Sequence, residues 1–212
     1  MLIGNSDYGD FQLHGVALSL DTVEQSLKSR GFKIQRQENL TTDDQKKLTS
    51  EFARSVPTNG VAVIYYIGLA AHVQRFDKMY NVLRPVKAQI ASDNDYRSRG
   101  LNVSELTETL RKESGARISL LFLDACWDSP IRPEKGMVHS GLTEFEVGAD
   151  TTVVFAAESR KTLPVPEKDA PTTFAESLAR NLAGFDESLN ETCRSMPGWS
   201  GGVKEGGIGT LS

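Results

Sequence analysis

The sequence has no excess of positive charge, no long apolar run and almost no cysteine, and each shortage removes a class of function. Lys and Arg number 24 against 28 Asp and Glu, a net charge of −4. The two signs are interspersed, so no basic stripe is available to track phosphates, and nucleic acid is not an expected partner. No stretch approaches the ~20 apolar residues that span a bilayer. The opening MLIGNSDYGD lacks the basic and apolar regions of a signal peptide. A cytoplasmic chain without membrane contact is the expectation. The two cysteines, Cys126 and Cys193, sit in unlike contexts without framework spacing, which suits a reducing compartment. No GxGxxG or P-loop follows the first apolar stretch, which ranks a nucleotide binder below other readings, and neither a cofactor nor a metal is expected.

What is present fits one soluble domain: 212 residues, 39% hydrophobic and 25% charged. Helix-like and strand-like patterns alternate. Leu20, Val23 and Leu27 recur at helical spacing before Gly31, and FKI at 32–34 reads as a short strand. TTDDQKKLTSEFARSV opens with a Thr cap and an acidic first turn, then places Leu48 and Phe52 four apart, predicting a helix. GVAVIYYIG is nearly continuous in apolar character and predicts a strand buried on both faces. LNVSELTETL carries Asn102 as N-cap, Glu105 at N3 and Leu101 placed to staple Leu106. RISLLFLDA and TTVVFAA predict further buried strands, and TTFAESLARNL a last helix through Phe174, Leu178 and Leu182. The predicted fold class is α/β: a sandwich with a mostly parallel central sheet and helices on both faces.

The segments 127–141 and 158–171, rich in Pro and charge, read as loops at the carboxyl edge, where parallel sheets place their sites. The first holds Arg132 and Lys135 and is expected to be the internal segment most easily cut by protease. The domain is placed at 1–195, with a Gly-rich tail over 196–212 read as mobile or as a surface strap.

In FLDAC, Asp124 and Cys126 are two apart, so on a continuing strand a carboxylate and a thiol project to one side. On spacing alone, a small buried Cys and an Asp capping a turn fit better than a site does. LIGNSDY, then GF with NLT, then YYIG, VLRPVKA and FLDAC, taken in order and spacing over roughly residues 2–182, resemble the caspase-like clan of cysteine peptidases on its metacaspase, paracaspase and bacterial orthocaspase side. The resemblance implies a Cys-His dyad, an oxyanion hole and cleavage after Arg or Lys. It places Cys126 at the nucleophile and Asp124 at the acidic floor of the specificity pocket.

The departures fall where the chemistry would be. Relatives read Gly-His-Gly or Gly-His-Ala after the aromatic strand, whereas this chain reads GLAAH, which puts Leu69 at the histidine. The alternative alignment slides inserted residues into the strand end and makes His72 a relocated base. Three residues span ~10 Å of extended chain and reverse the facing, so that base would need a reshaped turn. His14 and His139 end no predicted core strand and have weaker claims. Counting back from Leu27 places Leu18 and Ser19 where relatives carry Asn-Asp, and Asp21 lies about 200° round the helix from the pocket position. Trp127 stands where Arg usually follows the nucleophile, and AAESRK replaces a Pro-Gly segment.

A free thiol of pKa ~8.5 is only ~3% thiolate at pH 7, and loss of general-base help costs about 10²–10⁴ in rate. The reading is therefore a caspase-like pseudopeptidase that binds a protein or peptide, among them an active relative, in the former substrate cleft. The alternative is an active Arg/Lys-specific endopeptidase using Cys126 and His72.

Overall fold

The computed structural model describes residues 1–9, 11–75, 78–88, 90, 92–125, 127, 138–182 and 208–210. The chain opens with β1 (Leu2–Gly4), α1 (Val16–Ser29), β2 (Arg36–Glu38), α2 (Thr42–Ser55) and β3 (Gly60–Ile67). A meander follows, with β4 (Ala70–Arg75), β5 (Lys78–Leu83), α3 (Asp93–Arg99) and β6 (Leu101–Asn102). The chain then runs through α4 (Val103–Glu113), β7 (Ala116–Asp124), β8 (Val138–Ser140), β9 (Thr151–Phe155), α5 (Thr173–Leu182) and β10 (Ile208–Thr210).

The main sheet has the order β10-β9-β7-β3-β1-β2. Every pair in it is parallel. The predicted α/β sandwich is therefore observed, and its helices divide as two-sided burial requires. Along β3, Val63, Tyr65 and Ile67 join one apolar cluster with α1 and α5, while Ala62, Ile64 and Tyr66 join the other with α2 and α4. Strand β7 alternates in the same way, Leu120 and Phe122 against Leu121 and Leu123. A strand apolar at every position is the signature of such a doubly covered sheet.

Local signals explain the helix starts. Thr41 and Asp44 form a reciprocal capping box at α2. Asn102 caps α4 by accepting the Ser104 N–H, and Leu101 and Leu106 meet in one cluster as the staple pattern predicts. Two expectations need correction. The strand assigned to 32–34 lies instead at Arg36–Glu38. Residue 32 is used to close α1, because the Phe32 N–H returns to the Leu27 carbonyl and the Gly31 N–H to that of Lys28. Likewise the segment 127–141 is not loop throughout: Val138–Ser140 pairs antiparallel with β4. That pairing is a contact between distant segments, so no local periodicity announces it. Residues 128–137 of the expected protease-sensitive loop lie outside the described residues. So does most of the Gly-rich tail, within which Ile208–Thr210 pairs parallel with β9.

A second, antiparallel sheet of order β6-β5-β4-β8 leaves the carboxyl edge of the first through the turn at Gly68 and Leu69. Asn5, fully buried, ties the junction together: its Oδ1 accepts the Leu40 N–H at 3.0 Å and its Nδ2 donates to the Arg84 carbonyl at 3.0 Å. Asn39, at φ 55, receives the Ser6 and Asp7 amides on its Oδ1. The two asparagines of the LIGNSDY and NLT motifs thus hold the loops that surround the strand ends. Asn5→Ala strands the buried Leu40 N–H and leaves the Arg84 carbonyl to the Tyr66 hydroxyl alone. It is expected to lower stability by about 2–4 kcal/mol in urea unfolding, against little change for an exposed control such as Leu18→Ala.

Candidate active site

The carboxyl ends of β3 and β7 lie side by side, with Ile67 opposite Asp124 and the Gly68 N–H directed to the Asp124 carbonyl at 3.4 Å. Cys126, expected from the resemblance at the nucleophile's position, lies outside the described residues. The frame around that edge can be read residue by residue.

Leu69 begins the turn after β3 and is 3% exposed, packed in the cluster shared with α1 and α5. Its amide donates to the Tyr8 hydroxyl at 2.6 Å. Its carbonyl accepts from the Tyr66 hydroxyl at 2.9 Å and from the Arg84 amide at 2.8 Å. The Arg84 guanidinium, itself buried, lies 5.7 Å from the Tyr8 ring centre and 5.9 Å from that of Tyr96, within cation–π reach of both. Burial drives the Tyr8 and Tyr66 phenols far above the usual tyrosine range, so both stay protonated as neutral hydrogen-bonding groups. This turn offers an apolar side chain on a backbone whose polar groups are already satisfied.

His72 is seated elsewhere. It lies on β4, opposite Asn81 of β5 and His139 of β8, in the antiparallel sheet. Its ring is buried and stacks on His139 at 5.1 Å between centres. Its Nδ1 lies 3.1 Å from the Gly141 carbonyl. A carbonyl only accepts, so the neutral tautomer carries its proton on Nδ1 and leaves Nε2 with the lone pair. Burial lowers the His72 pKa; the Gly141 carbonyl opposes this, while His139 and Arg160 reinforce it.

Asp124 ends β7 with its side chain completely buried. Its Oδ2 accepts from the Tyr65 hydroxyl at 2.7 Å and the Thr172 hydroxyl at 2.5 Å, while Oδ1 is buried with no partner. Burial raises its pKa to about 7, against the opposing effect of the Thr172 and Tyr65 hydroxyls. Ser19, on the buried face of α1, accepts the Thr172 N–H at 2.9 Å. Leu18 points outward at 40% exposure, and Asp21 pairs with Arg36 at the surface. Trp127 is 4% exposed, bridged to Leu163, with its indole N–H unpartnered.

The structure thus groups Leu69 with Tyr8, Tyr66 and Arg84. It groups Asp124 with Tyr65, Thr172 and Ser19, and places His72 with His139 and Gly141 in the other sheet. The partners Tyr8, Tyr65, Arg84 and Thr172 were not identified from sequence. Signals existed for some of them: paired tyrosines in a buried strand must find acceptors, and a Thr directly before an apolar helix pattern is a cap. The Thr172 hydroxyl indeed also accepts the Ala175 N–H. Tyr8→Phe leaves the Leu69 amide buried without an acceptor and is expected to cost about 1–3 kcal/mol by denaturant unfolding, while Tyr80→Phe, on the outer hairpin, changes little.

Comparison with known proteins agrees with this geometry. The family model described as the caspase domain matches residues 1–197. No curated protein matches the chain. Among the described residues no helix is long and apolar enough to cross a membrane. A match over most of the sequence, on a doubly covered parallel sheet, means that the chain belongs to the caspase-domain family of cysteine peptidases.

Proposed function

We propose that this caspase domain is a pseudopeptidase, acting in the cytoplasm by holding a protein or peptide in the former substrate cleft, with an active relative among its partners. The observation that carries the reading is the turn after β3. The residue two positions beyond Ile67, itself opposite Asp124, is an apolar leucine whose amide and carbonyl are both engaged. Leu69 supplies neither a proton acceptor nor a cation to draw a thiol toward thiolate. Asp124 adds to this, because its carboxyl is closed over by Tyr65 and Thr172 rather than open to an arriving cation.

A second reading rests on His72. Its lowered pKa keeps the imidazole neutral near pH 7, and its Nδ1 contact with Gly141 fixes the tautomer. A neutral, oriented imidazole is what a general base requires. In that reading Cys126 attacks the carbonyl carbon of an Arg or Lys residue and passes its proton to His72 Nε2.

Cleavage of short Arg- and Lys-ended peptides separates the two. The pseudopeptidase shows no turnover above background, and Cys126→Ala and His72→Ala leave that baseline unchanged. Leu69→His restores only partial thiol reactivity toward an alkylating probe at neutral pH. Wild-type turnover abolished by either Cys126→Ala or His72→Ala, each as severely as both together, overturns the proposal in favour of the enzyme.

A further inference from the structure

Residues 158–172 run from the end of β9 to the start of α5 across the carboxyl edge, and among the described residues their attachments are few. The Arg160 N–H reaches the Leu142 carbonyl at 2.7 Å, Leu163 bridges to Trp127, and the Thr172 N–H reaches Ser19. Among the described residues, no main-chain hydrogen bond joins 164–171 to the rest of the molecule. The segment's apolar side chains, Leu163, Val165, Pro166, Ala170 and Pro171, are only partly buried, and Pro164, Pro166 and Pro171 interrupt the stretch. Backbone fits the seat closely at both ends. A Cβ at Gly141 would meet the Lys161 carbonyl oxygen at 2.6 Å, and one at Gly15 the Ala170 carbonyl oxygen at 2.7 Å. Both glycines hold positive φ.

Beneath this segment Asp124 is sealed with one oxygen unpartnered, and Trp127 is buried with its indole N–H unpartnered. We infer that residues 158–172 form a releasable strap, latched onto the strand edge by the paired contacts of Thr172 with Asp124 and Ser19, and that its release uncovers the Asp124 chamber and Trp127. Weak attachment over a satisfied latch is the pattern of a segment that opens locally without global unfolding. The device stands independently of whether the chain cuts peptides.

The latch contains a proton switch. The titratable group facing Asp124 from β3 is the Tyr65 phenol, α1 presents Ser19, and the strap presents Thr172. Of the strap's charges, Glu158 is half-buried and pairs with Lys161; Arg160, Lys161, Glu167, Lys168 and Asp169 are exposed, and Glu176 of α5 pairs with Arg180. Among the described residues no cation faces the carboxyl to hold it ionised. Closed, Asp124 titrates at about 7; opened to water it returns toward ~3.9. The closed form therefore binds the extra proton. Closure is strongest in acid, weakens as pH rises from ~4 toward the closed-state value, and levels off above it.

The chain has tryptophan at 127 and 199 only, so Trp199→Phe leaves Trp127 as sole reporter. Acrylamide quenching of Trp127, with hydrogen exchange of 158–172, is read from pH 5 to 8. Quenching is expected to rise, and the strap's opening constant from exchange corrected for the base-catalysed intrinsic rate to grow by roughly tens of fold, between pH 5 and 7 and then to level, with far-UV circular dichroism unchanged. Asp124→Asn, neutral throughout, should remove the pH step, and Ser19→Ala should raise the strap's opening constant at pH 5 toward the wild-type value at pH 8. If Asp124→Asn does not fold, Ser19→Ala carries the test. Quenching that is flat with pH, a step that persists in Asp124→Asn, no effect of Ser19→Ala, or loss of secondary structure in parallel with the step each overturns the strap.

Discussion

The parallel pairing of β3 with β7, in the register that sets Ile67 opposite Asp124, is the constraint on which the rest of the molecule depends. It ends two buried strands at the same level, so their next residues must leave the sheet together. Neither strand can tilt to relieve strain, because each is covered on both faces. Backbone groups released at such an edge are buried by the flanking loops and must find partners. Tyr8, Tyr66, Asn5 and Arg84 meet that demand.

The same constraint explains why the edge is well built whatever side chain stands at its turn. Leu69's backbone is satisfied by the Tyr8 and Tyr66 hydroxyls and the Arg84 amide, which bind main-chain atoms regardless of the side chain at 69. The fold therefore tolerates leucine at this turn. The histidine that follows three residues later belongs to a different sheet. Its ring is oriented by Gly141 and His139 in a second environment. Framework and chemistry are separable because different atoms carry them.

Asp124 shows how one burial alters several properties. Sealed by two hydroxyls with an unpartnered oxygen, it favours the protonated carboxyl, although an acid at a strand's end would ordinarily meet water or a cation. The residue that seals it, Thr172, also caps α5 and docks on α1. A change at the carboxyl is therefore felt by the helix packing beyond it.

The sequence by itself determined the sheet and helix pattern, because two-sided burial writes continuous apolar runs such as VAVIYYI and SLLFL, and caps such as Thr41 and Asn102 are local. It also placed Leu69 in the turn after the aromatic strand, since the order of motifs needs no coordinates. Only the tertiary structure decided that β2 starts at Arg36 rather than Phe32, that Val138–Ser140 becomes a strand against β4, and that Asp124 is closed over by Thr172. It alone placed His72 against Gly141. These are contacts between residues 48 to 69 apart in sequence, or competitions between neighbouring local structures. Local pattern records what a segment prefers, while partners of that range are set by the packing of the whole chain.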